Sequence, residues 1–382
     1  MADQFSTTTT VGYGSRIMSS FSGIVIGIIL FVASFGVLYW NEGRLDLSNI
    51  AKTAPEISSV QNADPSLNGK LVSTSGVIKV SDQIGDGLYV KPAPFVALSR
   101  HTEMYAWEEQ EESSSTKNVG GSETTTKTYN YVKTWQSSPE SSANFKYPEG
   151  HLNPVKTLSD TTLVSKKAMI GVYPITLDSM DLPITTPVSL TTQNVTPQEG
   201  AIIASARYMF VTKNVGATLE TPQVGDVRVS YDALYPETDV TLFGKLNGTG
   251  FSPFFDAKNN KLYRLFIGGR DQAIVTLHGE YTMMIWLFRG IGFLMMWLGL
   301  MSILGPISVL LDVLPIFGSI SRGLISGITL LASLILSAVT ILIAMVLHNI
   351  WALLIVLAVT VSGIFFFMGR LKNKPTSTVP AK

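Results

Sequence analysis

Long apolar runs at both ends of the chain constrain its fold more than any other feature. A helix of roughly 20 apolar residues is long enough to cross the ~30 Å hydrocarbon core of a bilayer. Four runs are long enough and nearly free of charge, and they predict membrane-spanning helices at residues 17–40, 289–311, 323–347 and 350–369. The sequence therefore predicts an integral membrane protein with one N-terminal and three C-terminal spans, which enclose a polar domain at residues 41–288.

Composition narrows the function classes. Only 15% of the residues are charged, against ~25% in soluble globular chains, as expected if membrane helices make up part of the chain. The formal net charge is zero, so no basic field favours nucleic acid as a partner. The chain has no cysteine, which excludes disulfides, thiolate metal sites and cysteine nucleophiles.

The flanking charges predict an orientation, because short cytoplasmic segments accumulate Lys and Arg. Arg16 precedes the first run and Arg322 lies between the second and third. The tail at 370–382 carries Arg370, Lys372, Lys374 and Lys382 without an acid. We therefore expect residues 1–16 and 370–382 to be cytoplasmic, and the domain to be lumenal or periplasmic. The membrane would be the bacterial cell membrane, or the endoplasmic reticulum or nuclear envelope in a eukaryote.

The second span contains a possible break. Gly305-Pro306 interrupts the run, and proline removes a backbone donor and clashes with the preceding helical turn. Residues 307–317 therefore belong either to the second span or to a piece lying in the membrane interface. A short cytoplasmic or interfacial loop is expected at 312–322.

The polar domain has the pattern of an antiparallel sheet. Residues 71–80 are rich in β-branched side chains, and 98–112 and 124–137 alternate around a turn at 118–121. Further strands are expected at 224–234, at 239–246 and as a pair around 258–261, whereas 201–211 fits a strand or a helix. We predict an α+β, mainly antiparallel β domain.

One face of the predicted hairpin is a possible interaction face. It combines aromatic and charged side chains, namely His101, Glu103, Tyr105, Trp107, Tyr129, Tyr131 and Trp135. The alternation of His101, Glu103 and Glu109 also fits some metal sites, but an ordinary sheet face explains it better. No catalytic motif is present, so we predict no catalytic residues, no metal, no cofactor and no enzymatic activity.

The apolar runs themselves give little sign of a transport path. Ionisable residues inside a membrane usually mark such paths, and the centres of all four runs contain none. Gly23 and Gly27, and likewise Gly323 and Gly327, have the spacing that lets helices approach closely. That spacing fits packing within the chain or between copies.

Several sequence blocks resemble the transmembrane protein 43 (LUMA) family from end to end. They are Asn41-Glu42-Gly43-Arg44, Arg100-His101-x-Glu103-Met104-Tyr105-x-Trp107, Tyr129-x-Tyr131-x-x-x-Trp135, His151-x-Asn153-Pro154, Val224-Gly225-Asp226-Val227-Arg228-Val229-Ser230, Asp312-x-x-Pro315-x-Phe317 and Trp351-Ala352-Leu353-Leu354-Ile355. The resemblance implies four spans, a lumenal domain and cytoplasmic termini, as the charges do.

The resemblance also implies a role, since animal members of the family are organisers of membranes and membrane complexes. We therefore expect a non-enzymatic scaffold whose partners are membrane lipids, further copies of the chain and an unidentified protein. The alternative is a lipid-handling or transport-associated component that uses the β-rich domain at the bilayer surface.

Overall fold

The protein folds as two compact units. The computed structural model describes residues 3–256, 258–312 and 315–349, together with Leu354 and Ala358. The β-rich unit comprises Met1–Thr9, Asp46–Ser114 and Thr125–Glu280, and the helical unit comprises Thr10–Leu45, Ser115–Thr124 and Tyr281–Lys382.

Four α-helices occur in the described residues: α1 (Tyr13–Glu42), α2 (Leu47–Thr53), α3 (Arg270–Leu311) and α4 (Pro315–His348). Helices α1, α3 and α4 each contain a stretch long and apolar enough to cross a membrane. They correspond to the first three predicted spans, but α3 begins well before residue 289 and α4 before residue 323. The predicted fourth span at 350–369 and the tail at 370–382 lie outside the described residues, apart from Leu354 and Ala358.

Helix α3 shows how the chain accommodates Pro306. The helix continues through this proline to Leu311, although proline removes the hydrogen bond to the carbonyl four residues earlier. Membrane helices tolerate such a loss because neighbouring groups satisfy the freed carbonyl. Residues 307–311 are therefore helical and continue the apolar segment of α3, whereas residues 313 and 314 lie outside the described residues.

Seventeen strands occur in the part of the chain that the structure describes. The first eight are β1 (Gln4–Val11), β2 (Glu56–Ile57), β3 (Leu71–Val80), β4 (Ala97–Lys117), β5 (Glu123–Gln136), β6 (Thr161–Val164), β7 (Ala168–Ile170) and β8 (Tyr173–Ile175). The others are β9 (Thr186–Pro187), β10 (Ala201–Ile203), β11 (Met209–Val211), β12 (Val227–Leu234), β13 (Thr238–Asn247), β14 (Gly250–Ser252), β15 (Phe254–Phe255), β16 (Lys261–Leu262) and β17 (Arg264–Ile267).

Most of these strands form two sheets. One sheet has the order β1-β5-β4-β12-β11-β10, and the other has the order β14-β13-β3-β7-β8. The strand pairings whose register is described are antiparallel except that of β2 with β3, so the prediction of a sheet-rich domain is confirmed. The ambiguous stretch at 201–211 is the hairpin β10–β11, and the pair expected around 258–261 is β15–β16.

Strand β4 confirms the predicted alternation of faces. Arg100, Thr102, Met104 and Ala106 are buried, whereas His101 is exposed and the intervening residues are partly exposed. The buried face packs into an apolar core with β12, where Val229 and Tyr231 are fully buried. The strand and its partner β5 extend beyond the predicted ends because the turn at 118–121 is tight: Gly120 and Gly121 both have positive φ, at 86° and 81°.

Strand β1 was not foreseen in the sequence. It forms the edge of the sheet next to β5, and the hydroxyls of Thr8 and Thr126 lie 3.2 Å apart. The Tyr131 amide also donates to the Asp3 carbonyl at 2.8 Å. Residues 3–9 are thus hydrogen-bonded to β5 and belong to the β-rich unit.

Glycines set the closest helix–helix approach in the helical unit. A Cβ added at Gly27 would lie 2.8 Å from the Gly299 carbonyl oxygen, and one at Gly299 would lie 2.8 Å from the Phe31 amide. Helices α1 and α3 therefore meet backbone to backbone at this point. Gly23, Gly323 and Gly327 have no atom within 4 Å of such a Cβ among the described residues. Gly27 thus serves packing within the chain.

The absence of native cysteine makes the pairing of β1 with β5 directly testable. We expect the double variant Thr8→Cys/Thr126→Cys to form a disulfide under mild oxidation, because cross-strand neighbours have their Cβ atoms ~4.5–5.5 Å apart. The measurement is the mobility of a proteolysed sample on a non-reducing gel. Thr9→Cys/Thr126→Cys, in which the two side chains are out of register, is the control and should remain reduced. Equal cross-linking of both pairs would contradict the register.

Candidate functional site

The predicted interaction face divides into separate clusters. The first, the aromatic cluster, surrounds His151, whose ring stacks on Tyr131 with centroids 3.9 Å apart and meets Trp107 edge-on at 4.8 Å. Phe5 of strand β1 contacts His151 and Tyr131 as well. Since Tyr129, Tyr131 and His151 are at most 6% exposed, these rings form a small core under the N-terminal strand.

Hydrogen bonds fix the rings of the aromatic cluster. The Tyr131 hydroxyl donates to Glu109 and accepts from the Tyr147 amide at 2.8 Å. Burial and the bond to Glu109 raise the pKa of Tyr131 to about 12, so this phenol stays protonated under physiological conditions. The Asn153 carboxamide accepts from the Trp107 amide at 2.7 Å. Most polar groups in this cluster therefore have a structural role.

The second group, the cationic cluster, centres on Arg228. Its guanidinium lies between the rings of Trp135 and Tyr208, 4.8 Å from each centroid, and its Nε donates to Glu103 at 2.6 Å. Tyr105 packs on Trp135 at 5.3 Å. Arg228 and Glu103 are 22% and 30% exposed, so this cluster reaches the surface. It is the part of the predicted face that a partner molecule could contact.

His101 belongs to neither cluster. Its Nε2 lies 3.2 Å from Asp232, and Arg207 donates to the same carboxylate at 2.8 Å. The three residues considered as metal ligands, His101, Glu103 and Glu109, thus have three different sets of partners. Among the described residues, no group of three or more acidic or histidine side chains is placed to hold a metal ion.

The motif Asn41-Glu42-Gly43-Arg44 forms the C-terminal end of α1. Asn41 is fully buried and donates to the Ile285 carbonyl at 3.0 Å. Glu42 accepts from two nitrogens of Arg289, each at 2.8 Å. Gly43 has no room for a side chain, because an added Cβ would lie 2.4 Å from the His348 ring. Each of these three residues therefore ties α1 to α3 or α4.

The fourth residue of the motif stacks on aromatic rings. The Arg44 guanidinium lies 5.5 Å from the centroid of Trp40 and 5.4 Å from that of Phe288. In the expected orientation, Arg44 and Arg289 would lie on the side where short segments carry few cations. Arg289 is paired with Glu42, and Arg44 lies over π faces.

The opposite end of α1 is held by a buried carboxylate. Asp312 has no exposed surface, although the sequence places it at a span end where it should reach water. It accepts from Lys117 at 2.6 Å and also from Arg16 and Arg322. Arg16 additionally pairs with Glu123 at 2.9 Å. Asp312 thus joins α1, the tip of the β4–β5 hairpin and α4, and we call it the Asp312 hub.

Removing the carboxylate of the hub should strongly destabilise the protein. We expect Asp312→Asn to cost about 3–5 kcal/mol, because three cations would be left without their shared counter-charge. The measurement is the midpoint of thermal unfolding of the purified chain in detergent. Asp178→Asn is the control, since its ion pair with Lys166 is more than half exposed and should contribute little. Equal shifts in the two variants would contradict the role of the hub.

Comparisons with known proteins agree on one family. Residues 104–350 match the family model described as Transmembrane protein 43. The human protein of that name is 27% identical over 330 residues, which cover 81% of this chain and 80% of the human one. The mouse protein is 28% identical over 324 residues, 80% of this chain and 79% of its own.

A more distant relative extends the same relationship. The Drosophila melanogaster protein described as a Transmembrane protein 43 homolog is 26% identical over 286 residues, covering 72% of this chain and 74% of its own. No solved structure matches the chain. The segment matched by the family model includes most of the β4–β5 hairpin and helices α3 and α4, with Lys117, Asp312 and Arg322 of the Asp312 hub.

Proposed function

Because the chain belongs to the transmembrane protein 43 family, we propose that it is a non-enzymatic membrane scaffold. It would organise membrane structure or membrane protein complexes, through copies of itself and through a further protein partner. The Asp312 hub is the observation that supports this role best. A binding platform needs elements held in a fixed geometry, and the hub fixes the hairpin tip to apolar helices.

The outer half of the hairpin offers the polar surface for such a partner. Beyond Trp107, most of strand β4 is exposed, and it carries four glutamates and a run of serines. The Lys127 ammonium lies 2.6 Å from the Glu111 carboxylate, and both side chains are nearly half exposed. Together with the surface part of the cationic cluster, this stretch gives a partner protein mainly charged and hydroxyl groups to recognise.

Loss of the ion pair between Lys117, at the hairpin tip, and Asp312 should weaken the self-association of the chain and leave its apolar helices intact. We expect the wild-type chain, purified in mild detergent, to have a protein mass above the 41.5 kDa of one copy by light scattering. Lys117→Ala should shift it toward the monomer, because Lys117 holds the tip to Asp312. Lys127→Ala, on the same hairpin but paired only with exposed Glu111, is the control and should behave as wild type. A strictly monomeric wild type without any co-purifying protein would refute the scaffold.

We also propose an orientation in which the hub lies on the cytoplasmic side. Arg16, Lys117 and Arg322 converge there, as the positive-inside rule favours. The hairpin tip and the C-terminal end of strand β1 then share that side.

Cysteine labelling tests this orientation in sealed vesicles of known sidedness. With a membrane-impermeant maleimide, we expect Thr9→Cys and Thr116→Cys to react from one side, and Val215→Cys, on the body of the domain, to react from the other. All three residues are exposed in the structure. Reaction of all three from the same side would place the N-terminus with the domain and contradict the proposed orientation.

A further inference from the structure

A cavity of about 330 Å³ opens at the C-terminal end of α1. Glu42, Trp286, Arg289, Met345 and His348 form much of its wall. The cavity therefore combines an arginine and a glutamate with aromatic and thioether surface. Such a mixture, mainly apolar with a few convergent polar groups, is typical of ligand sites.

Arg289 is placed to bind one more acceptor. Its Nε and Nη2 donate to the two oxygens of Glu42, each at 2.8 Å, and its plane lies 4.9 Å from the Trp286 ring centroid. A guanidinium carries five N–H donors, and the described hydrogen bonds use only Nε and Nη2, which also lies 4.0 Å from the Met345 sulfur. Arg289 is only 19% exposed and lines the cavity, so its guanidinium is held at the cavity wall.

The position along the helices identifies the class of ligand. Trp40 and Trp286 are 55% and 65% exposed, and exposed tryptophans at the end of an apolar helix mark the headgroup level of a bilayer. On the side of the cavity toward the middle of α4, Leu342 and Met345 are also largely exposed. An acceptor in the cavity would thus have apolar helix surface directly beside it.

We propose that this cavity binds the phosphodiester headgroup of a membrane phospholipid, with Arg289 as the phosphate ligand. Arg is the residue suited to forked contacts with phosphate oxygens. Glu42 holds the fork in place and leaves Nη1 for the lipid, while the acyl chains lie on α3 and α4. The site goes beyond the scaffold role and does not depend on it, because a monomer would contain the same cavity.

Lipid retained by the full-length chain tests the proposal. The chain is extracted from membranes in mild detergent, and bound phospholipid is counted by native mass spectrometry. We expect about one phospholipid per wild-type chain and at least a tenfold loss in Arg289→Gln, because a hydrogen bond to a charged group contributes ~1.5–3 kcal/mol. Arg264→Gln is the matched control, since Arg264 forms an equivalent forked pair with Glu280, with both distances 2.6 Å, outside the apolar segment.

Two further variants separate lipid binding from a purely structural ion pair. Glu42→Gln should retain phospholipid, because the glutamine carbonyl oxygen can still accept from Arg289 and hold the fork, while the charge that repels the phosphate is removed. Met345→Trp should lose phospholipid without any change of charge, because the larger ring fills the cavity. An equal loss in Glu42→Gln and Arg289→Gln would mean that the pair only holds the helices together, and would overturn the proposal.

Inorganic phosphate distinguishes the two possible sources of the phosphate group. We expect millimolar phosphate to leave the bound phospholipid in place, because phosphate lacks the acyl chains that contact α3 and α4. Displacement of the lipid by phosphate alone would assign the cavity to a soluble anion. Unchanged retention in Arg289→Gln would refute the site altogether.

Discussion

One buried carboxylate determines how the helical unit is held together. Asp312 has no exposed surface and binds three cations from three separate parts of the chain. A buried charge is tolerated only when it is paired and its hydrogen bonds are satisfied. Removal of any one of the three cations would therefore leave part of the Asp312 charge uncompensated. The helix ends, the hairpin turn and the start of α4 are therefore fixed by a single group.

The sequence predicts those parts of the fold whose signal is local. Apolar runs identify α1, α3 and α4, and alternation identifies the faces of β4, because burial follows the period of each element. The turn at 118–121 follows from its glycines. Strand β1 could not be predicted in this way, because its threonine run has no buried face of its own and is paired only through residues more than 110 positions away.

The candidate site shows the same limit. The hairpin residues of the predicted face were found from their alternation. The residues around which that face separates into two clusters, such as Phe5, His151 and Arg228, come from other segments of the chain. The pairing of Glu42 with Arg289 spans 247 positions, and no local pattern in the sequence indicates it.

The Asp312 hub also constrains the order in which the chain reaches its structure. Arg16 and Asp312 lie 296 positions apart, which at the usual rates of synthesis corresponds to roughly 15–60 s. During that interval Arg16 lacks the carboxylate that will hold it, although strand β5 is already synthesised. The N-terminal segment is thus synthesised early but acquires its full set of contacts late. Its folding depends on the synthesis of the segment that contains Asp312.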